Sequence, residues 1–144
     1  MMRLVVRKTI RATPERLFDA WTRPAHLKHW WGPQDVECVD AHVDLRIGGE
    51  YRIANRFPDG RVVWITGKFE RIEPPDTLAY TWRVEPQTES EHVTVRFERR
   101  GDRTEVVVIL ERIGDERTRD VHERGWRDCL DGLAALASDS ATST

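Results

Sequence analysis

A change of period along the chain limits it to few folds. From about Val36 to Leu110 apolar residues recur at every second position, and from about Asp115 to Ala137 they recur at every third or fourth. Alternation gives a strand one buried and one wet face, whereas three-four spacing gives a helix a single buried stripe. The alternating sets are Val39, Ala41, Val43 and Leu45; Tyr51 and Ile53; Leu78, Tyr80 and Trp82; Val93, Val95 and Phe97; and Val106, Val108 and Leu110. Turn residues separate them: Gly48-Gly49, Pro58-Asp59-Gly60, Pro74-Pro75-Asp76 and Gly101-Asp102. A longer strand, Val62 to Ile72, contains Gly67, which predicts a bulge or bend in a strongly curved sheet. The polar segment Glu85 to Glu91 reads as a loop.

Ahead of this run, Leu4 to Ile10 reads as a first strand. Thr13 and Pro14 then form a helix start, cap followed by first helical position, with Arg16 where a capping box would carry Glu. Pro24 ends that helix and opens a second short one, which Gly32-Pro33 terminates. The final helix places Val121, His122, Gly125, Trp126, Cys129, Leu130, Leu133 and Leu136 on its inward stripe. Strand, two short helices, six antiparallel strands and one long helix define an α+β class. The lone amphipathic helix must bury its stripe on the concave face of the sheet. Residues 1–137 form a single domain and residues 138–144 a disordered tail, with no internal repeat. A sheet bent around one helix leaves space between the two, and that cavity is the expected site for a ligand.

The sequence argues against several partners. Its formal net charge is −2 over 144 residues and its charges alternate in sign, as in Glu98-Arg99-Arg100, so nucleic acid is not an expected partner. No apolar run approaches the ~20 residues that span a bilayer, and membrane insertion is not expected. Arg3, Arg7 and Lys8 interrupt the apolar residues of the first ten, unlike a secretion signal. Cys38 and Cys129 have no metal or redox spacing and read as two reduced thiols of a cytoplasmic protein. His26 and His29 stand three apart without a third ligand, so no metal is expected. No phosphate-binding or dinucleotide glycine pattern occurs, and no cofactor is expected. The chain is expected to act as a monomer or homodimer.

Several segments together resemble a known group. They are Phe18-Asp19-Ala20-Trp21-Thr22-Arg23-Pro24, His29-Trp30-Trp31-Gly32-Pro33, Asp44-Leu45-Arg46-Ile47-Gly48-Gly49 and Phe57-Pro58-Asp59-Gly60. Glu73-Pro74-Pro75 ahead of Leu78, and Gly125-Trp126 with Leu130 and Leu133, complete the set. The sequence resembles the SRPBCC superfamily, the START-related and polyketide-cyclase-like domains. Within it, the likeness is to bacterial homologues of the activator of the heat-shock-protein-ninety ATPase. The resemblance implies a helix-grip fold with a hydrophobic pocket. It also implies three candidate functions: binding a lipid or aromatic metabolite, cofactor-independent cyclase or dehydratase chemistry, and interaction with a chaperone.

The candidate pocket residues are Tyr51, Ile53, Asn55, Phe69, Tyr80, Trp82, His122, Trp126 and Cys129. His122 stands four before Trp126 and seven before Cys129, on one face of the helix, and is the candidate acid or base. Its alternative is a helix-edge histidine paired with a carbonyl or with Asp115 or Asp120. The aromatic residues are either pocket walls or ordinary core. Asn55 continues the Tyr51-Ile53 alternation and would turn a polar group inward, where it needs a partner. Gly125 lets the helix approach the sheet closely or leaves room for a ligand. Trp30 and Trp31 pack helix against sheet, cover a cavity mouth, or form the exposed apolar patch that a protein partner would need.

Overall fold

The computed structural model describes residues 2–32, 35–87 and 89–142, with side chains of the last helix described as far as Ala137. Strand β1 (Met2–Ile10) leads into helices α1 (Pro14–Thr22) and α2 (Pro24–Trp30). Six strands follow: β2 (Glu37–Val43), β3 (Glu50–Arg56), β4 (Val62–Glu73), β5 (Thr77–Val84), β6 (Glu91–Arg100) and β7 (Arg103–Ile113). Helix α3 (Glu116–Thr142) closes the chain. It runs five residues beyond the end expected at Ala137, so the backbone of Ser138 to Thr142 continues the helix, while Ser143 and Thr144 lie outside the described residues.

The seven strands form one sheet in the order β1-β7-β6-β5-β4-β3-β2, antiparallel throughout. Strands β2 to β7 are a simple meander, and β1 is added beside β7. The helix starts follow local chemistry. Thr13 takes extended backbone and its hydroxyl accepts the Arg16 amide at 3.1 Å, with Pro14 in the first turn of α1. Pro24 likewise opens α2. Asp115 Oδ1 accepts the Thr118 amide at 2.7 Å and so caps α3.

The inward faces of β1, β5, β6 and β7 contribute Val6, Tyr80, Val95, Phe97, Val108 and Leu110, all buried. Against them α3 sets Trp126, Cys129, Leu130, Leu133 and Ala137. This stripe at three-four spacing is why the helix seats on the sheet. Two details depart from simple alternation. A register shift between Cys38 and Asp40 brings Cys38 and Ala41 inward together, so Val39 is only half-buried. Strand β2 also ends at Val43, leaving Leu45 exposed in the connection.

The bulge expected at Gly67 lies further along β4, where the pairing with β5 shifts between Phe69 and Arg71, and Gly67 instead marks a close approach. A Cβ there would lie 1.9 Å from the Thr81 carbonyl oxygen and 2.6 Å from the Tyr51 ring. The Tyr51 phenol passes over this glycine and donates to the Thr81 carbonyl at 2.6 Å, while the Lys68 amide donates to the Thr81 hydroxyl at 2.9 Å. These bonds take up groups left where the β4–β5 pairing skips from Thr66↔Arg83 to Phe69↔Tyr80.

Candidate functional site

Helix α3 contacts β1 and β7 together with the two short helices. Its N-terminal half therefore faces β3, β4 and β5 across a cleft of about 380 Å³. The sheet side carries Asn55, Phe57, Val63, Ile65, Trp82 and Val84. The helix side carries Val121, His122, Arg124, Gly125, Trp126, Asp128 and Cys129, and Trp31 and Val36 close the end after α2. The volume falls within the range of small-molecule sites, and the walls are mostly apolar.

Of the nine residues singled out from the sequence, Asn55, Trp82, His122, Trp126 and Cys129 line this cleft. Tyr51, Ile53, Phe69 and Tyr80 surround a second space of only about 20 Å³, the size of one water molecule, which Trp82 and Trp31 separate from the cleft. These four belong to a closely packed aromatic core. Tyr51, Phe69 and Tyr80 meet with ring centroids 5.2–6.1 Å apart, and the Trp21 indole N–H donates to the Tyr80 hydroxyl at 3.1 Å. Burial raises the pKa of both phenols above the usual tyrosine range, so both remain neutral.

The tryptophans form the cleft's inner wall. Trp126 stacks on Trp21 at 5.8 Å and an interplanar angle of 10°, and Trp31 meets Trp126 edge-on at 5.4 Å. Trp82 approaches both Trp31 and Trp126 at 5.6 Å. Trp30 and Trp31 are buried at 3% and 6% exposure, and the Trp30 indole donates to the Ala20 carbonyl at 2.8 Å. Both pack the helices, Trp31 also walls the cleft, and they form no exposed patch.

Gly125 lines the cleft, and a Cβ added there would meet nothing within 4 Å. It keeps space open and does not permit a close approach. Close approach occurs two turns later, where a Cβ on Gly132 would stand 2.8 Å from the Trp30 carbonyl oxygen.

The polar groups of the cleft are few and differ in their partners. His122 is half-buried, and its Nε2 lies 2.8 and 2.9 Å from the two carboxylate oxygens of Glu91. Neither carboxylate weighed from the sequence, Asp115 or Asp120, is this partner. Glu91 opens β6 opposite Trp82 and shares the inward parity of Val93, Val95 and Phe97. Extending that alternation back by two residues would have found it, but the polar run beginning at Glu85 reads as loop. Among the described residues, Asn55 Oδ1, Trp82 Nε1, Glu91 Oε1 and Arg119 Nε are buried without a hydrogen-bond partner, the Glu91 oxygen meeting His122 as an ion pair. The Cys129 thiol is pushed up to about 12 by burial, the Gly32 backbone partly opposing the rise, which keeps it protonated and unreactive. Cys38 is also buried, and both thiols are free.

A curved antiparallel sheet gripping a long C-terminal helix, with a cleft between them, defines a helix-grip domain of the START-related class. The family model for the Activator of Hsp90 ATPase homolog 1-like protein matches residues 11–138, and the chain belongs to that family. Solved structures agree in fold. A Chromobacterium violaceum protein superposes with a TM-score of 0.87 at 24% identity, over 94% of this chain and 96% of that one. The protein named AHSA1 from Silicibacter pomeroyi gives 0.87 at 23%, over 96% and 99%. An AHSA1-like protein from Aeromonas hydrophila gives 0.81 at 22%, over 97% and 94%. None of the curated proteins matches the chain in sequence. No helix among the described residues is long and apolar enough to cross a membrane.

Proposed function

We propose that this protein binds a hydrophobic small molecule, a lipid or an aromatic metabolite, in the cleft between α3 and strands β3 to β5. The observation that carries the reading is a mostly apolar cleft of about 380 Å³ kept open by a glycine. A structural helix facing a sheet ordinarily fills that interface with side chains. Here Gly125, which lines the cleft, withholds one. Asn55, Trp82, His122, Trp126 and Cys129 would contact the ligand, and Trp31, Phe57 and Ile65 would extend its apolar bed. Two reduced, buried cysteines support action in the cytoplasm, as a monomer or homodimer.

Native mass spectrometry of the protein purified from its own host, followed by extraction, tests this reading. The expected result is one apolar compound per chain, lost in Trp126→Ala. A chain that carries no apolar compound, and takes up none from a host extract, contradicts it.

The Glu91–His122 pair supports a second reading, cyclase- or dehydratase-type proton transfer. A carboxylate bound to Nε2–H leaves the ring's lone pair on Nδ1, the arrangement of a general base held by an acceptor. Turnover of the retained compound, abolished in His122→Ala and reduced in Glu91→Gln, would establish it. Retention without turnover would leave binding alone.

A further inference from the structure

We infer that the outer face of the sheet carries a second binding site, a hollow over β3, β4 and β5 that takes one tetrahedral oxyanion, a phosphoryl or sulfate group, between Arg52 and Arg83. Cleft and hollow lie on opposite faces of the same strands. Ile65, Trp82 and Val84 turn into the cleft, so Thr66 and Arg83, which alternate with them, face away. There they line an open hollow of about 430 Å³ together with Arg52, Lys68, Glu50 and Glu85.

The register builds the cationic row. Arg52 pairs with Thr66 across β3 and β4, and Thr66 pairs with Arg83 across β4 and β5. Directly paired residues share a face, so two arginines flank one threonine. Neighbouring strands lie about 4.8 Å apart, which sets the arginine Cα atoms about 10 Å from each other. Two guanidinium groups at that spacing can close on a single anion from both sides. Lys68, two residues after Thr66 on β4, adds a third cation to the same face. The chain as a whole has a formal net charge of −2, so this cluster does not follow from general basicity.

The donors are held in place and remain largely unused. The Arg52 guanidinium lies 4.2 Å from the centroid of the Trp64 ring, which fixes the group and leaves its N–H donors free. Arg83 donates to the Thr66 hydroxyl oxygen at 3.3 Å. That bond occupies a lone pair of Thr66 and leaves its O–H proton for an acceptor. Among the described residues, Arg52, Lys68 and Arg83 make no ion pair, and the Thr66 hydroxyl proton has no acceptor. Glu50 and Glu85 bound the hollow at its two ends. Glu50 stands opposite Lys68, and the Glu85 amide donates to the Trp64 carbonyl at 2.9 Å. The central row of Arg52, Thr66 and Arg83 carries no carboxylate. Those two end charges repel an extended polyanion, so the site suits one anionic group.

Proton–nitrogen correlation NMR of the full chain at neutral pH tests this. Sodium phosphate and sodium sulfate are titrated against sodium chloride of equal ionic strength. The proteins are wild type, Arg52→Ala, Arg83→Gln and Arg56→Ala, each checked by its melting curve. Phosphate should shift the amides of Thr66, Gly67 and Lys68 saturably, and chloride should not. Arg52→Ala and Arg83→Gln should each weaken binding about tenfold. Arg56→Ala, on the same strand and face but already paired with Glu37, should leave it unchanged. If Arg83→Gln does not fold, the exposed Arg52 carries the test. Sedimentation with vesicles of phosphatidate in phosphatidylcholine separates the sources. A response to free phosphate assigns a soluble ligand, and vesicle binding alone, lost in Arg52→Ala, assigns a lipid headgroup. Equal shifts with chloride, shifts confined to other parts of the chain, undiminished binding in Arg52→Ala, or no response to phosphate, sulfate or vesicles would each overturn the inference.

Discussion

Three glycines separate the roles that a missing side chain can play. Gly67 is absent of Cβ because backbone and a tyrosine ring fill the space, Gly132 because two helices touch, and Gly125 because the cleft lies beside it. The substitutions should therefore differ in sign. Gly67→Ala drives a methyl into the Thr81 carbonyl, which has no freedom to retreat without breaking the β4–β5 contact. It should cost about 2 kcal/mol or more, in the range measured for overpacked cores. Gly125→Ala meets nothing and gains helix propensity, so it should add about 0.5–1 kcal/mol. Urea denaturation of both variants checks the pair; a destabilised Gly125→Ala would mean that the helix does rest on the sheet there. At this scale the sequence reads unevenly. Asn55 is legible because the Tyr51-Ile53 alternation carries through to it. Glu91 is obscured because it follows a polar run and its partner lies 31 residues further along. Sequence also leaves the tyrosines undecided between wall and core, since a strand's parity says which side a ring faces and nothing about which neighbours reach it first.

Among the elements, α3 joins fold to site, because one helix buries Leu130 and Leu133 at its centre and presents His122, Gly125 and Trp126 near its start. Its first turn is held by Asp115, whose carboxylate accepts the Thr118 amide, and that bond holds the carboxyl below the usual aspartate range. A carboxyl whose folded pKa is depressed adds stability above its unfolded pKa, near 3.9, and loses it as pH falls through the folded pKa. Asp115→Ala should thus lower the melting temperature at neutral pH and converge with wild type in strong acid. Hydrogen exchange should be faster at the start of α3 than at its middle. A constant difference at all pH values would place the effect elsewhere. The order of elements was legible throughout, because each change of period, capping threonine and proline acts locally. The bulge in β2 was not, since a register shift is fixed by the partner strand; it turned Cys38 and Ala41 inward together where alternation pointed to Val39.

For the molecule as a whole, the asymmetry of the grip decides what it can do. The helix leans on β1 and β7, the β3–β5 side stands off, and the family's fold becomes a cleft walled by tryptophan. The general form of that space was expected from a sheet bent around a single helix. Its position was not, because it depends on where α3 leans. The claim that this cleft holds a ligand is tested most directly by filling it from within. Gly125→Leu adds a side chain at a cleft-lining position where its Cβ meets nothing within 4 Å. Native mass spectrometry of wild type and Gly125→Leu, both purified from the native host, should find an apolar compound bound one to one on wild type. The variant should be free of it while melting no lower. Equal retention by the two proteins would place any ligand outside the cleft, and retention by neither would contradict the account.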